Sequence, residues 1–64
     1  MKVNGETRTL DAPVTLLAYL LSEGYVPERV AVEQNGAIIP RSQFAEAMLS
    51  ADDALEIVAF VGGG

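Results

Sequence analysis

A chain of 64 residues, half of them apolar, has material for one small domain and a single core. It contains no cysteine and no histidine, which removes disulfides, iron–sulfur clusters, thiolate metal sites, catalytic thiols and the commonest general base. Nine acidic residues against four basic ones give a net charge of −5, which repels nucleic-acid phosphates and anionic lipid alike.

The first residues, Met1 to Glu6, lack the apolar run of a signal peptide. The longest apolar stretch, Leu16 to Leu21, is too short to cross a bilayer. The expectation is a soluble, cytoplasmic protein, monomeric when free, that does no chemistry with its side chains. No spacing of carboxylates matches a hard-cation loop, so neither a metal nor a bound cofactor is expected, and the acidic residues read as solvated surface.

In chain order, Asn4-Gly5 is the first turn signal, because a tight hairpin needs positive φ at adjacent positions. A strict two-residue loop pairs Val3 with Glu6 and Met1 with Arg8, which sets charges on the apolar face; a longer loop relieves this, and the register stays open. A helix is predicted from Pro13 to Glu23. Val14, Leu17, Ala18 and Leu21 share one face, flanked by Leu16 and Leu20, and Gly24 stops the helix. Val30–Gln34 and Ala37–Ile39 form a second hairpin around Asn35-Gly36, with Val30 and Val32 towards the core and Pro40 ending the pairing. Ser42 caps a short second helix through Phe44, Ala45 and Met48.

The last element, Ala54 to Val61, alternates as a strand. Leu55, Ile57, Ala59 and Val61 share one side; Glu56, Val58 and Phe60 share the other. Residues 1–61 therefore form one α+β domain, a four- to five-stranded sheet with one main helix packed on one face. Residues 62–64, all glycine, form a flexible tail. The helix leaves the other sheet face open, and Val58 and Phe60 lie on it as a docking patch with Val61 as hinge. For Phe60 a second reading stands beside this one: burial beneath the short second helix. Arg41 either pairs with carboxylates on a partner or forms a solvated ion pair of little consequence.

These segments resemble a known family. Val30-Ala31-Val32-Glu33-Gln34-Asn35-Gly36, Ile39-Pro40-Arg41, Asp53-Ala54-Leu55-Glu56-Ile57-Val58 and Val61-Gly62-Gly63-Gly64 are similar, at matching spacing and over the whole chain, to the ubiquitin-like sulfur carriers of the ThiS and MoaD type, and more closely to ThiS. Asp52-Asp53 departs from the Gly-Asp usual there, and the first strand is short.

The resemblance implies a β-grasp fold with a mixed sheet and a carrier role in thiamine biosynthesis. An E1-like adenylating enzyme would use ATP to adenylate Gly64, sulfur would replace one oxygen to give a thiocarboxylate, and thiazole synthase would receive the sulfur. The physical demand fits the tail. A terminal carboxylate, with a pKa of about 3.3–3.7, is ionised and a poor electrophile until adenylated. Gly62, Gly63 and Gly64 reach roughly 10 Å when extended and thread a narrow tunnel without side chains. By composition alone the same three glycines read as a frayed end. Other readings are a sulfur carrier for molybdopterin or another pathway, a ubiquitin-like protein modifier, and a passive binding module. An acyl carrier is excluded, since no serine sits in an Asp-Ser-Leu context.

Overall fold

The computed structural model describes residues 1–60. Seven strands, β1 (Lys2–Val3), β2 (Glu6–Thr7), β3 (Val14–Thr15), β4 (Val30–Gln34), β5 (Ala37–Ile38), β6 (Met48–Leu49) and β7 (Ala54–Ala59), accompany one helix, α1 (Leu16–Ser22). Two 3₁₀ turns, Pro27–Arg29 and Arg41–Gln43, complete the set. Five strands make a mixed sheet in the order β2-β1-β7-β4-β5, in which β1 runs parallel to β7 and every other pairing is antiparallel. β3 and β6 form a separate antiparallel pair.

Both Asn-Gly turns form as expected. Asn4 and Asn35 sit at φ 52° and 53°, each followed by a glycine with φ above 80°, the geometry a two-residue hairpin loop requires. The first hairpin adopts the strict register, Val3 opposite Glu6 and Lys2 opposite Thr7. Met1 and Arg8 exchange main-chain hydrogen bonds, 2.8 Å and 3.2 Å. The charges this puts beside Val3 are harmless, because β2 is an edge strand exposed throughout and Arg8 meets Glu6 at 3.5 Å in solvent.

The helix is shorter than its periodicity predicts. Val14 and Thr15 are β-branched residues, stiff in a helix and favoured in extended chain, and they pair with Leu49 and Met48 instead. Thr15 is the N-cap, its Oγ1 accepting the Ala18 N–H at 3.1 Å. The amides of Leu16 and Leu17 donate to the carbonyls of Ala47 and Phe44, both at 2.8 Å, so the segment after Pro40 satisfies the open helix end. At the other end Gly24 takes φ +83°. Gly24 N–H reaches Leu21 O and Tyr25 N–H reaches Leu20 O, a complete Schellman closure.

With Val14 outside the helix, the buried stripe is set by Leu16 and Leu20 and not by the face read from periodicity. Leu16 and Leu20 are fully buried, whereas Leu21, assigned to the core face from sequence, is 58% exposed. The second helix shrinks to the 3₁₀ turn Arg41–Gln43, with Pro40 and not Ser42 at its N-cap. Met48 lies in β6 rather than on a helix. Phe44 is buried there, joining Met1, Val3, Val30, Val32, Leu49, Leu55, Ile57 and the two helix leucines in the core.

Asp53, read from sequence as solvated acidic surface, is the hub of a turn. Its carboxylate accepts hydrogen bonds from Asn35 Nδ2 (2.9 Å), Gln34 Nε2 (3.1 Å) and the Ser50 amide (2.8 Å). The bond from Asn35, then that from the Ser50 amide, holds its carboxyl below the usual range against a smaller opposing effect of burial. A depressed folded-state pKa contributes stability that is complete above the unfolded value of 3.8 and is lost as pH falls through the folded value.

Two outcomes are expected in urea unfolding. Leu20→Ala lowers the unfolding free energy by about 2–5 kcal/mol, while Leu21→Ala changes it by less than about 0.5 kcal/mol; the reverse ranking would restore the helix face read from periodicity. The stability gap between wild type and Asp53→Ala is full at neutral pH and shrinks below about pH 4. A gap unchanged down to about pH 3 would show that the carboxylate's charge is not what the turn uses.

Candidate functional site

β7 lies at the centre of the five-stranded sheet, paired with β1 on one edge and β4 on the other. Its inward side chains, Leu55 and Ile57, are 1% and 5% exposed; its outward ones, Val58 and Phe60, are 59% and 53% exposed. Alternation thus falls where the sequence places it through Val58, while Ala59, expected beside Leu55 and Ile57, is exposed at the end of the strand. The alternative of Phe60 beneath the second helical piece is corrected by the structure, in which Phe44, at the end of that turn, is buried in the core and Phe60 is half in solvent. Phe60 N–H donates to Arg29 O at 2.7 Å, continuing the β4–β7 ladder beyond Ala59. Val61, Gly62, Gly63 and Gly64, the expected hinge and tail, lie outside the described residues.

The register fills in the rest of the open face. Val58 stands opposite Ala31, Glu56 opposite Glu33, and Glu33 in turn opposite Ile38 of β5. Ile38 is 76% exposed, and the sequence reading did not single it out. The signal was available: a two-residue loop at Asn35-Gly36 places Ile38 across from Glu33, on the outward side. The face therefore carries Ile38, Val58 and Phe60 around two glutamates.

Arg41 is not the solvated ion pair offered as one reading of it. Its Nε donates to Pro27 O at 3.1 Å and its Nη2 to Glu28 O at 3.0 Å. Arg8–Glu6 is the one ion pair among the described residues.

A groove of about 530 Å³ runs between the 9–12 segment and α1, lined by Thr9, Asp11, Tyr19 and Glu23 among others. Burial, then the charge of Glu23, pushes the Tyr19 phenol above its ordinary pKa, so it is a neutral hydroxyl there. No residue of β7 and no candidate docking residue lines this groove. Among the described residues no three His, Asp or Glu side chains converge as a metal site, and no helix is long and apolar enough to cross a membrane. The arrangement offers an open apolar face beside the end of a central strand.

Comparison with known proteins gives this arrangement a family. The model of the ThiS family matches residues 1–64, the whole chain. The chain belongs to the ThiS family. The crystal structure of the thiamine biosynthesis protein ThiS from Geobacter metallireducens superposes with a TM-score of 0.81 at 32% identity, covering 98% of this chain and 96% of that one. The ubiquitin-like β-grasp fold with its mixed sheet and single helix is thereby established. The family is one of sulfur carriers in thiamine biosynthesis. The thiazole synthases of Magnetococcus marinus and Paramagnetospirillum magneticum are 42% and 45% identical over 62 residues, 97% of this chain. The chain spans only 19% of the length of each of these two relatives.

The two phenylalanines should separate cleanly in thermal or urea unfolding. Phe60→Asp costs about 1 kcal/mol or less, the range of strand propensity at an exposed position. Phe44→Asp, burying a charge in the core, unfolds the domain. Loss of folding in the Phe60 variant would return that ring to the core.

Proposed function

We propose that this protein carries sulfur on the carboxyl group of Gly64 and delivers it for thiazole formation. The match of the whole chain to the ThiS family, on a β-grasp body, is the observation that carries this reading. In the proposed sequence an E1-like adenylating enzyme binds ATP, and the Gly64 carboxylate attacks its α-phosphorus as pyrophosphate leaves. The resulting mixed anhydride is open to attack by a hydrosulfide-level donor. AMP departs and a thiocarboxylate remains. With no cysteine in the chain, sulfur has no persulfide site on this protein, and the carboxyl end is where it is carried.

Thiazole synthase is the proposed acceptor. Two thiazole synthases contain a segment similar to nearly all of this chain, which supports a working relationship between this unit and that enzyme. The folded body contributes docking. Val58, Phe60 and Ile38 form an apolar patch on the open sheet face beside the strand from which residues 61–64 follow. Burial of such a patch offsets the ordering entropy of a glycine tail entering a partner. The net charge of −5 steers the carrier towards a basic surface on its ATP-using partner, an effect that fades with salt. ATP belongs to the partner in this scheme, and no resident cofactor is needed.

The test is reconstitution with ATP, an E1-like adenylating enzyme and a sulfide source, followed by intact mass and sequencing of the C-terminal peptide. One oxygen-to-sulfur exchange located at Gly64, with thiol-like alkylation, is the expected product. One residue added after Gly64 should abolish it without changing thermal stability. A carboxylate that stays unmodified, or a ladder of lysine conjugates in place of the exchange, would overturn the proposal.

A further inference from the structure

We infer that Arg41 is a positioning residue that fixes the carboxyl end of β7; its consequence for activity rests on the carrier function proposed above. The main chain of Arg41 is moored to the core, since its carbonyl accepts the N–H of the buried Phe44 at 3.1 Å. From there the guanidinium crosses to the other 3₁₀ turn and binds two successive carbonyls, Pro27 O and Glu28 O. The third carbonyl in the row, Arg29 O, accepts Phe60 N–H at 2.7 Å. Two of three consecutive carbonyls thus hold the turn to Arg41, and the third holds the end of β7.

The turn has little else to fix it. A single main-chain bond, Arg29 N–H to Val26 O at 2.8 Å, closes it, no side chain caps it, and none of its three residues is buried. The next pair inward on the ladder is Val30 opposite Ala59. Anything that lets Pro27–Arg29 move therefore acts first on Phe60 and then on Ala59. Lysine is no substitute, because one ammonium on a flexible stem lacks the planar fork that spans adjacent carbonyls. These contacts are hydrogen bonds to neutral acceptors, so they resist salt better than an exposed ion pair does.

For a carrier, the point where the chain leaves β7 sets where the residues that follow begin once the body has docked. Loosening that point lowers the fraction of docked complexes in attacking geometry, which reduces kcat and leaves KM for the carrier unchanged. A residue that touches the partner directly would shift KM instead.

Amide hydrogen exchange on the full chain tests the first half. In Arg41→Gln the Phe60 amide should exchange about five- to tenfold faster relative to the interior Ile57 amide, as expected for loss of hydrogen bonding on this scale. Arg41→Lys should behave like Arg41→Gln. Unchanged exchange at Phe60, equal acceleration at Ile57, or full protection in the lysine variant would each overturn the assignment. Adenylation kinetics with the E1-like enzyme and ATP test the second half. Lower kcat at unchanged KM is expected for Arg41→Gln, against raised KM for Val58→Asp. A raised KM with kcat intact would make Arg41 a partner contact and overturn the positioning role. If wild type is never adenylated, the carrier function fails, while the exchange result still decides what Arg41 holds.

Discussion

The main chain of β7 must be paired on both edges along the length that the core covers, and strand β1, at two residues, is too short to do it. Asn4 makes up the difference. Its main-chain N–H binds Leu55 O at 2.9 Å, and its side chain then imitates a peptide unit, donating to Ile57 O at 3.2 Å and accepting Ile57 N–H at 2.8 Å. On the opposite edge Asn35 does related work at the start of the strand, accepting Ala54 N–H through Oδ1 at 2.9 Å while its own N–H binds Ala54 O at 2.8 Å. Each asparagine thus fills two needs at once. It takes the positive φ of its turn and satisfies main-chain groups that would otherwise be left unpaired in the sheet. Among the described residues no buried side-chain polar atom is without a partner.

This economy explains what could be read from the sequence and what could not. Asn-Gly turns, the alternation of Leu55 to Phe60 and the Gly24 stop depend on neighbours in the chain, and all were legible. The helix start was not, because Val14-Thr15 is decided by Met48-Leu49, far along the chain. That same pairing removes Met48 from the predicted second helix. Arg41 was legible as an arginine after proline, but its acceptors are carbonyls, which carry no side-chain signature. Asp53 looked like one acid among several until the fold brought Asn35, Gln34 and Ser50 around it.

With so small a core, the division of the sheet into two faces decides where function can sit. The helix and the segment after Pro40 cover the inner face, where Leu55 and Ile57 are buried in the core. The outer face and the strand end are what remain. Leu21, Val26 and Met48 are also exposed apolar residues, but they lie on α1, before the first 3₁₀ turn and on the separate β3–β6 pair respectively. Scattered singles of that kind need no explanation. Ile38, Val58 and Phe60 differ in sharing one face of one sheet.

An apolar sheet face is also an invitation to self-association, and the two glutamates bear on that. Glu33 and Glu56 stand directly opposite one another across β4 and β7, an arrangement that costs strand pairing a few tenths of a kcal/mol or more, roughly the scale of cross-strand pairs. Among the described residues neither is in an ion pair. A second copy brought face to face would set four like charges against one another as the apolar patch closed, where water is expelled and their repulsion is least screened. A partner presenting arginine or lysine at that point meets the reverse situation, gaining attraction from the same desolvation.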